Sequence, residues 1–288
     1  MIRPIGFLIL LSFAPIARAD EKDDEIAKQK AAALALLKQC DVMNGALLET
    51  PDLFVAGGFP EAKLKTMGDL VQKSYASAIK ALKFEADQNP FKAKLTVYFL
   101  PDRKQLSAFV GAVLNDRLDK GDRSQVDAVY KYPYAAISVY PGEKPIDLEA
   151  EAANQIAVAL LRGKAGSNSL PQWMEDGFVK ALKMRAAPLS PDRTAIRKML
   201  AETKTVPAKY KVADVWGPNY DKEKQLLAGS LMEFFVFGPE SAKLGKILAG
   251  MRPMDGAPAP KMDAVLMSLE MPLDKLDIAW KKYAMTGK

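Results

Sequence analysis

The hydrophobic pattern along the first half of the chain predicts helices alternating with short strands. Apolar side chains recur at helical spacing over 25–48, 60–82 and 102–113. Shorter runs rich in β-branched and aromatic residues predict strands over 53–56 and 94–100, and two more over 127–132 and 135–140, with a loop over 116–125 before them. This alternation of strand and helix predicts a small mixed sheet.

The second half of the pattern is almost entirely helical. Further helices are expected over 190–203, 222–237, 241–249, 262–269 and 273–285, with irregular segments over 206–220 and 252–260. The fold class predicted for the chain is therefore α+β, with a small mixed sheet followed by a mostly helical C-terminal half.

The segment 146–185 predicts two helices joined by a loop of Gly, Ser and Asn, and its first helix is the most apolar of the chain. Within 152–161 the only polar residues are Asn154 and Gln155. A helix that is apolar on nearly every face belongs inside a domain. Both amides therefore need partners, because a buried amide without one costs about 1–3 kcal/mol.

The same segment resembles a known family. Residues 154–161 (NQIAVALL), followed by 171–177 (PQWMEDG), match in frame and spacing the gluzincin metallopeptidases and their peptidase MA-like relatives, whose pattern is His-Glu-x-x-His, a loop, and Pro-x-Trp-Leu-x-Glu-Gly. The resemblance covers about 50–283 and is most specific over 152–182. It implies a zincin-like fold with Asn154, Val158 and Asp176 at the three zinc-ligand positions and Gln155 at the general-base position.

The residues at those positions cannot perform the chemistry of that family. The chain contains no histidine and one cysteine, whereas zinc is held mostly by imidazole, thiolate or carboxylate. Val158 has no lone pair, and Gln155 cannot accept a proton from water as a glutamate does. We therefore predict no catalytic residue, no metal and no cofactor, with Asn154, Gln155, Val158 and Asp176 as the remnant of the site and a candidate ligand cleft.

Several further expectations concern this remnant. An amide of Asn154 donating to the carboxylate of Asp176 would replace the lost metal bonds. The resemblance places the strand 135–140 at the wall of the substrate cleft, although an ordinary internal strand is an equal alternative. A calcium site is disfavoured, and the acids Glu149, Glu151, Glu175 and Asp176 are interpreted as chance surface charges. Tyr220 is expected to serve packing.

The N-terminus has the pattern of a secretory signal peptide. Arg3 precedes an apolar run over 5–13, and Ala17-Arg18-Ala19 forms a small-residue cleavage site. The apolar run is shorter than the ~20 residues that a membrane-spanning helix needs. We predict a signal peptide over 1–19, a helical segment over 20–48 and the main domain over 49–288. The location is secreted or periplasmic, with no integral membrane segment after cleavage.

Composition agrees with an exported globular protein. Apolar residues make up 49% and charged residues 26% of the chain, which is ordinary globular usage. Removing Arg3 and Arg18 lowers the formal charge from +6 to +4. The chain contains no block of Lys and Arg, so nucleic acid is not an expected partner. Cys40 cannot form an internal disulfide, and a buried small hydrophobe is its favoured interpretation.

These observations predict a catalytically inactive, secreted relative of metallopeptidases that binds or scaffolds extracellular or envelope polypeptides. Two alternatives remain open at this point. A hydrolase with a carboxylate-based site would show a cleft with two converging acids of raised pKa. A purely structural envelope protein would show no pocket over Asn154.

Overall fold

The computed structural model describes residues 16–85, 90–91, 93–140, 147–201, 209–253 and 260–287, with side chains from residue 23 onward. Within this part of the chain the fold is α+β, with one mixed five-stranded sheet and mostly helical content. The strands are β1 (Ala46–Glu49), β2 (Leu53–Gly57), β3 (Leu95–Asp102), β4 (Ser124–Asp127) and β5 (Tyr134–Tyr140). Their order in the sheet is β1-β2-β3-β5-β4.

The helices in the described residues are α1 (Ile16–Gln39), α2 (Glu61–Ala81), α3 (Arg103–Leu114), α4 (Leu148–Ala165), α5 (Gln172–Ala186), α6 (Pro191–Leu200), α7 (Lys222–Phe237), α8 (Leu244–Gly250), α9 (Met262–Ser268) and α10 (Leu273–Thr286). Short 3-10 helices cover Val212–Trp216 and Pro239–Lys243. None of the helices in the described ranges is long and apolar enough to cross a bilayer.

The sheet lies between two layers of helices. Strands β2, β3 and β5 are parallel, and β1 and β4 pair antiparallel at the two edges. Because side chains alternate between faces along a strand, Val97 and Phe99 of β3 join the core that contains residues of α2 and α4, whereas Tyr98 and Leu100 join the core that contains residues of α1 and α3. The α4 helix therefore lies against the sheet, as its apolar composition predicts.

The N-terminal helix differs from its prediction. It ends at Gln39 rather than continuing to residue 48, and residues 46–49 form the edge strand β1. Asp41 and Asn44 adopt positive φ angles of 55° and 51°, which stop a right-handed helix. Strand β1 thus straddles the boundary predicted between 48 and 49. Of the predicted signal peptide, residues 1–15 lie outside the described residues, and residues 16–19 belong to α1.

Strand β4 also differs from its prediction, since it covers Ser124–Asp127 rather than 127–132. The side chain of Asp127 accepts hydrogen bonds from the backbone N–H groups of Val129 and Tyr130, at 2.9 and 2.7 Å. An aspartate that binds the backbone two or three residues further on forms a turn. The aromatic and β-branched residues after Asp127 therefore belong to a turn and not to a strand.

The helical second half agrees with its prediction within the described ranges, apart from a 3-10 turn that replaces the start of the helix expected over 241–249. Part of the irregular segments predicted over 206–220 and 252–260, and the end of the helix predicted over 190–203, lie outside the described residues. Helices α5 and α7 pack closely at Gly177. A Cβ atom there would lie 2.7 Å from the carbonyl oxygen of Ala228. This contact fixes the position of α5, and with it that of Asp176.

Candidate functional site

Most of the residues singled out in the sequence lie along one side of α4. Glu151, the adjacent pair Asn154 and Gln155, Val158 and Arg162 follow one another at intervals of three or four residues, which places them on a common side of the helix. All five are partly exposed, whereas the intervening Ile156 and Leu160 are fully buried. We call this face the polar stripe of α4.

The two amides of the polar stripe have different surroundings. Gln155 donates from Nε2 to Oε1 of Glu151 at 2.9 Å, and the same oxygen accepts from the hydroxyl of Ser124 at 2.9 Å. Gln155 therefore has the partner that a half-buried amide requires. The Oδ1 atom of Asn154, in contrast, is buried without any hydrogen-bond partner. Leaving such an atom unpaired costs about 1–3 kcal/mol.

The strongest polar link between α4 and α5 was not predicted from the sequence. The guanidinium of Arg162 donates to both carboxylate oxygens of Glu175, at 2.6 and 2.9 Å, and also to the carbonyl oxygen of Val126 on β4 at 2.9 Å. The interpretation of Glu175 as a chance surface acid is therefore wrong. Glu151 likewise accepts hydrogen bonds from Ser124 and Gln155. These contacts tie α4, α5 and the edge strand together.

Asp176 lies on α5 next to Glu175 but has no basic partner among the described side chains. It is partly buried, and this burial raises the pKa of its carboxyl. Gln172 and the hydroxyl of Tyr220 lie near the carboxylate and partly offset the rise. The Tyr220 hydroxyl is buried without a well-formed hydrogen bond, and burial followed by the charge of Asp176 raises its own pKa. Tyr220 also packs against the core, as expected.

The hydrogen bond predicted between Asn154 and Asp176 is absent from the described side chains. Helices α4 and α5 are in contact, but the link between them is Arg162–Glu175. Val158 packs against the apolar core. The four positions are therefore carried by one pair of packed helices without forming a shared hydrogen-bond network.

Strand β5 is not the wall of an open cleft. It pairs with β3 on one side and with β4 on the other, so the alternative of an ordinary internal strand is the correct one. On this side of the sheet the edge strand is β4. Because Arg123 bonds to Ser138 of β5, the backbone groups of residues 124 and 126 point away from the sheet. One of them, the Val126 carbonyl, is bound by Arg162, and beyond the strand the N–H of Ala128 donates to Asn168 at 2.8 Å.

Two cavities stand out in the described part of the chain. One of about 920 Å³ lies between residues 24–29 in the middle of α1 and the C-terminal end of α4. The other, of about 330 Å³, lies beside the N-terminal end of α5. None of Asn154, Gln155, Val158 and Asp176 lines either one, so neither cavity is the ligand cleft expected over these residues. A lack of a pocket over Asn154 is the feature expected of a purely structural protein. The chemistry of the partly buried acid, rather than the size of the cavity, makes the region around Asp176 the candidate site.

The donor set at the remnant positions does not fit zinc. One amide, one aliphatic side chain and one carboxylate stand where three good donors are needed. In the described ranges no group of three or more His, Cys, Asp or Glu residues could hold a metal ion. The arrangement offers instead hydrogen-bond acceptors and one unpaired negative charge, which suit a ligand that donates hydrogen bonds or carries a positive charge.

A scan against models of protein families found no match to this chain, and a search of curated proteins found no significant match.

Proposed function

We propose that this protein is a catalytically inactive, zincin-like polypeptide-binding protein that acts outside the cytoplasm, and that the region around Asp176 is its binding site. Export follows from the predicted signal peptide over 1–19. The zincin-like relationship rests on the match of 154–161 and 171–177 to the gluzincin pattern. The packing of the two helices that carry this pattern supports it.

The observation that carries the proposal is the partly buried carboxylate of Asp176, which has no cationic partner among the described side chains. A partly buried acid is unfavourable unless a cation or several hydrogen-bond donors face it. The described side chains offer it Gln172 and Tyr220 but no cation. Ionisable groups whose pKa values are shifted by their surroundings are concentrated at functional sites. A ligand with a positive charge or several N–H groups would complete the environment of Asp176.

A carboxylate-based hydrolase is less well supported by the same residues. Such an enzyme needs two carboxyl groups, one that acts as the general acid and one that acts as the general base. Glu175 is engaged by Arg162, and Glu151 by Ser124 and Gln155. Asp176 therefore stands without a free neighbouring acid among these residues, and a binding role suits it better than a hydrolytic one.

Capture on an array of immobilised peptides tests the proposal. The mature protein should bind a subset of peptides, and Asp176→Asn should weaken that binding about tenfold, because a hydrogen bond to a charged group contributes about 1.5–3 kcal/mol. Asp69→Asn, which removes an exposed acid on α2, is the matched control and should leave capture unchanged. Equal capture by both variants would rule out Asp176 as the binding site.

Inactivity needs a separate measurement on the same preparation. Elemental analysis should find no stoichiometric zinc, and casein should remain intact. Chelator-sensitive cleavage of casein would overturn the assignment as an inactive protein.

A further inference from the structure

The smaller cavity, beside the start of α5, is a slot built from aromatic, proline and methionine side chains. Its apolar walls are Pro171, Trp173, Trp216, Met251, Pro260 and Met262. Trp173, Met251 and Met262 are almost fully buried and form the interior, whereas Trp216 is partly exposed. We call this cavity the tryptophan slot.

Two interactions hold the walls of the tryptophan slot in place. The rings of Trp173 and Trp216 lie 5.6 Å apart, at an interplanar angle of 39°. The indole N–H of Trp216 donates to Oδ1 of Asp263 at 2.8 Å. An aromatic wall that is already oriented loses little conformational freedom when a ligand arrives. The slot is therefore formed before binding.

The tryptophan slot adjoins Asp176. Trp173 and Asp176 are three residues apart on α5, a spacing that puts their Cβ atoms about 5–6 Å from each other. The hydroxyl of Tyr220 also lies near the carboxylate of Asp176. Asp176 thus lies next to a wall of the slot along α5, although it is not one of the residues that line the slot.

We infer that the polypeptide ligand of this protein carries an aromatic residue next to a basic residue, with the aromatic ring in the tryptophan slot and the cation at Asp176. This inference rests on the proposed function and specifies its ligand. A volume of about 330 Å³ is near the lower limit of ligand pockets, about 300–1,000 Å³, and suits one large side chain.

The side chains around the tryptophan slot favour an aromatic residue in the slot and a basic residue beside it. Aromatic rings pack well against tilted indoles and against methionine sulfur. Lys261 and Asp263 both line the tryptophan slot, so their charges offset each other there. Asp176 attracts a cation on the adjoining side. The apolar walls therefore favour the ring in the slot, and the carboxylate of Asp176 favours the positive group beside it.

Fluorescence anisotropy with labelled peptides tests this inference on the mature protein. The probes contain a lysine–phenylalanine pair, in either order, between glycines. Replacing phenylalanine by alanine in the probe should weaken binding at least about tenfold, as expected for loss of a central anchor. Replacing lysine by glutamine should weaken it about fivefold or more, as expected for loss of a paired charge.

Protein variants test the same contacts from the other side. Trp216→Ala should reproduce the loss seen with the alanine probe, and Tyr140→Ala, which removes an exposed aromatic ring at the end of β5, should change nothing. The substitutions in the probe decide the question even if Trp216→Ala fails to fold. Binding that depends on Asp176 but is indifferent to phenylalanine would overturn the inference and leave the proposed function intact. Failure of every peptide on the array to bind would overturn the proposed function itself.

Discussion

Breaking the ion pair between Arg162 and Glu175 should destabilise the domain strongly. The two side chains are 20% and 14% exposed, so the pair lies between an exposed bridge, whose contribution is about 0–1 kcal/mol, and a fully buried one, whose disruption costs about 3–5 kcal/mol. We expect Glu175→Gln to lower the free energy of unfolding by about 2 kcal/mol. Arg162→Met should lower it by about 3 kcal/mol, because it also leaves the carbonyl of Val126 without its donor.

The double variant isolates the coupling energy between Arg162 and Glu175 from the contacts that each makes with other residues. With Arg162→Met and Glu175→Gln combined, no unpaired charge remains, and the loss should be about 3 kcal/mol rather than the sum of about 5. The coupling energy is thus about 2 kcal/mol. Urea unfolding of the mature protein at pH 7, followed by circular dichroism, measures all four free energies.

The matched control for this cycle is the more exposed pair of Lys243 and Glu240, at 3.1 Å in a 3-10 helix. The corresponding variants, Lys243→Met and Glu240→Gln, should couple by less than about 0.5 kcal/mol. A coupling energy for Arg162 and Glu175 that is as small as that of the control would show that the pair does not hold α4 and α5 together.

Three further predictions concern single side chains. Asn154→Leu should raise the free energy of unfolding by about 1–2 kcal/mol in urea titrations, because it removes a buried oxygen without a partner; a loss of stability would show that the amide is satisfied in solution. Asp176 has a folded pKa above its ordinary value of 3.8. As the pH rises from that value through the folded pKa, the unfolded chain gives up this proton before the folded chain does, and stability falls. The stability advantage of Asp176→Asn over the parent should therefore grow between pH 3 and pH 7, and a constant difference would contradict the assigned shift. Burial raises the pKa of the Cys40 thiol to about 11, so a thiol reagent at pH 8 should label Cys40 only after unfolding, whereas rapid labelling of the folded protein would contradict its burial.

The sequence predicted the central helices well because their determinants are local. The apolar run over 152–161 and the Pro and Gly residues around it define α4 and the start of α5 without reference to the rest of the chain. Strand β1 was missed for the opposite reason. Leu47 and Leu48 continue the apolar spacing of the preceding helix, and only pairing with β2 makes their segment a strand.

The polar contacts of the site were harder to predict than the elements that carry them. Arg162 is the first charged residue after the apolar run of α4, and Glu175 lies in the first turn of α5. Charges of these signs are common at these helix ends because they complement the helix dipole. Nothing in the sequence distinguishes such ordinary end charges from a buried pair until the loop between the helices brings the two ends together.

The contacts that Arg162 and Asn168 make with the backbone at β4 have a consequence for self-association of this protein. An edge strand with unpaired backbone groups can pair with a strand of a second molecule, and long exposed edge strands promote aggregation into fibrils. Here Arg162 and Asn168 occupy positions along that edge, and the strand spans only Ser124–Asp127. Pairing of a second molecule along β4 is therefore disfavoured, because Arg162 and Asn168 already bind backbone groups that such a strand would need.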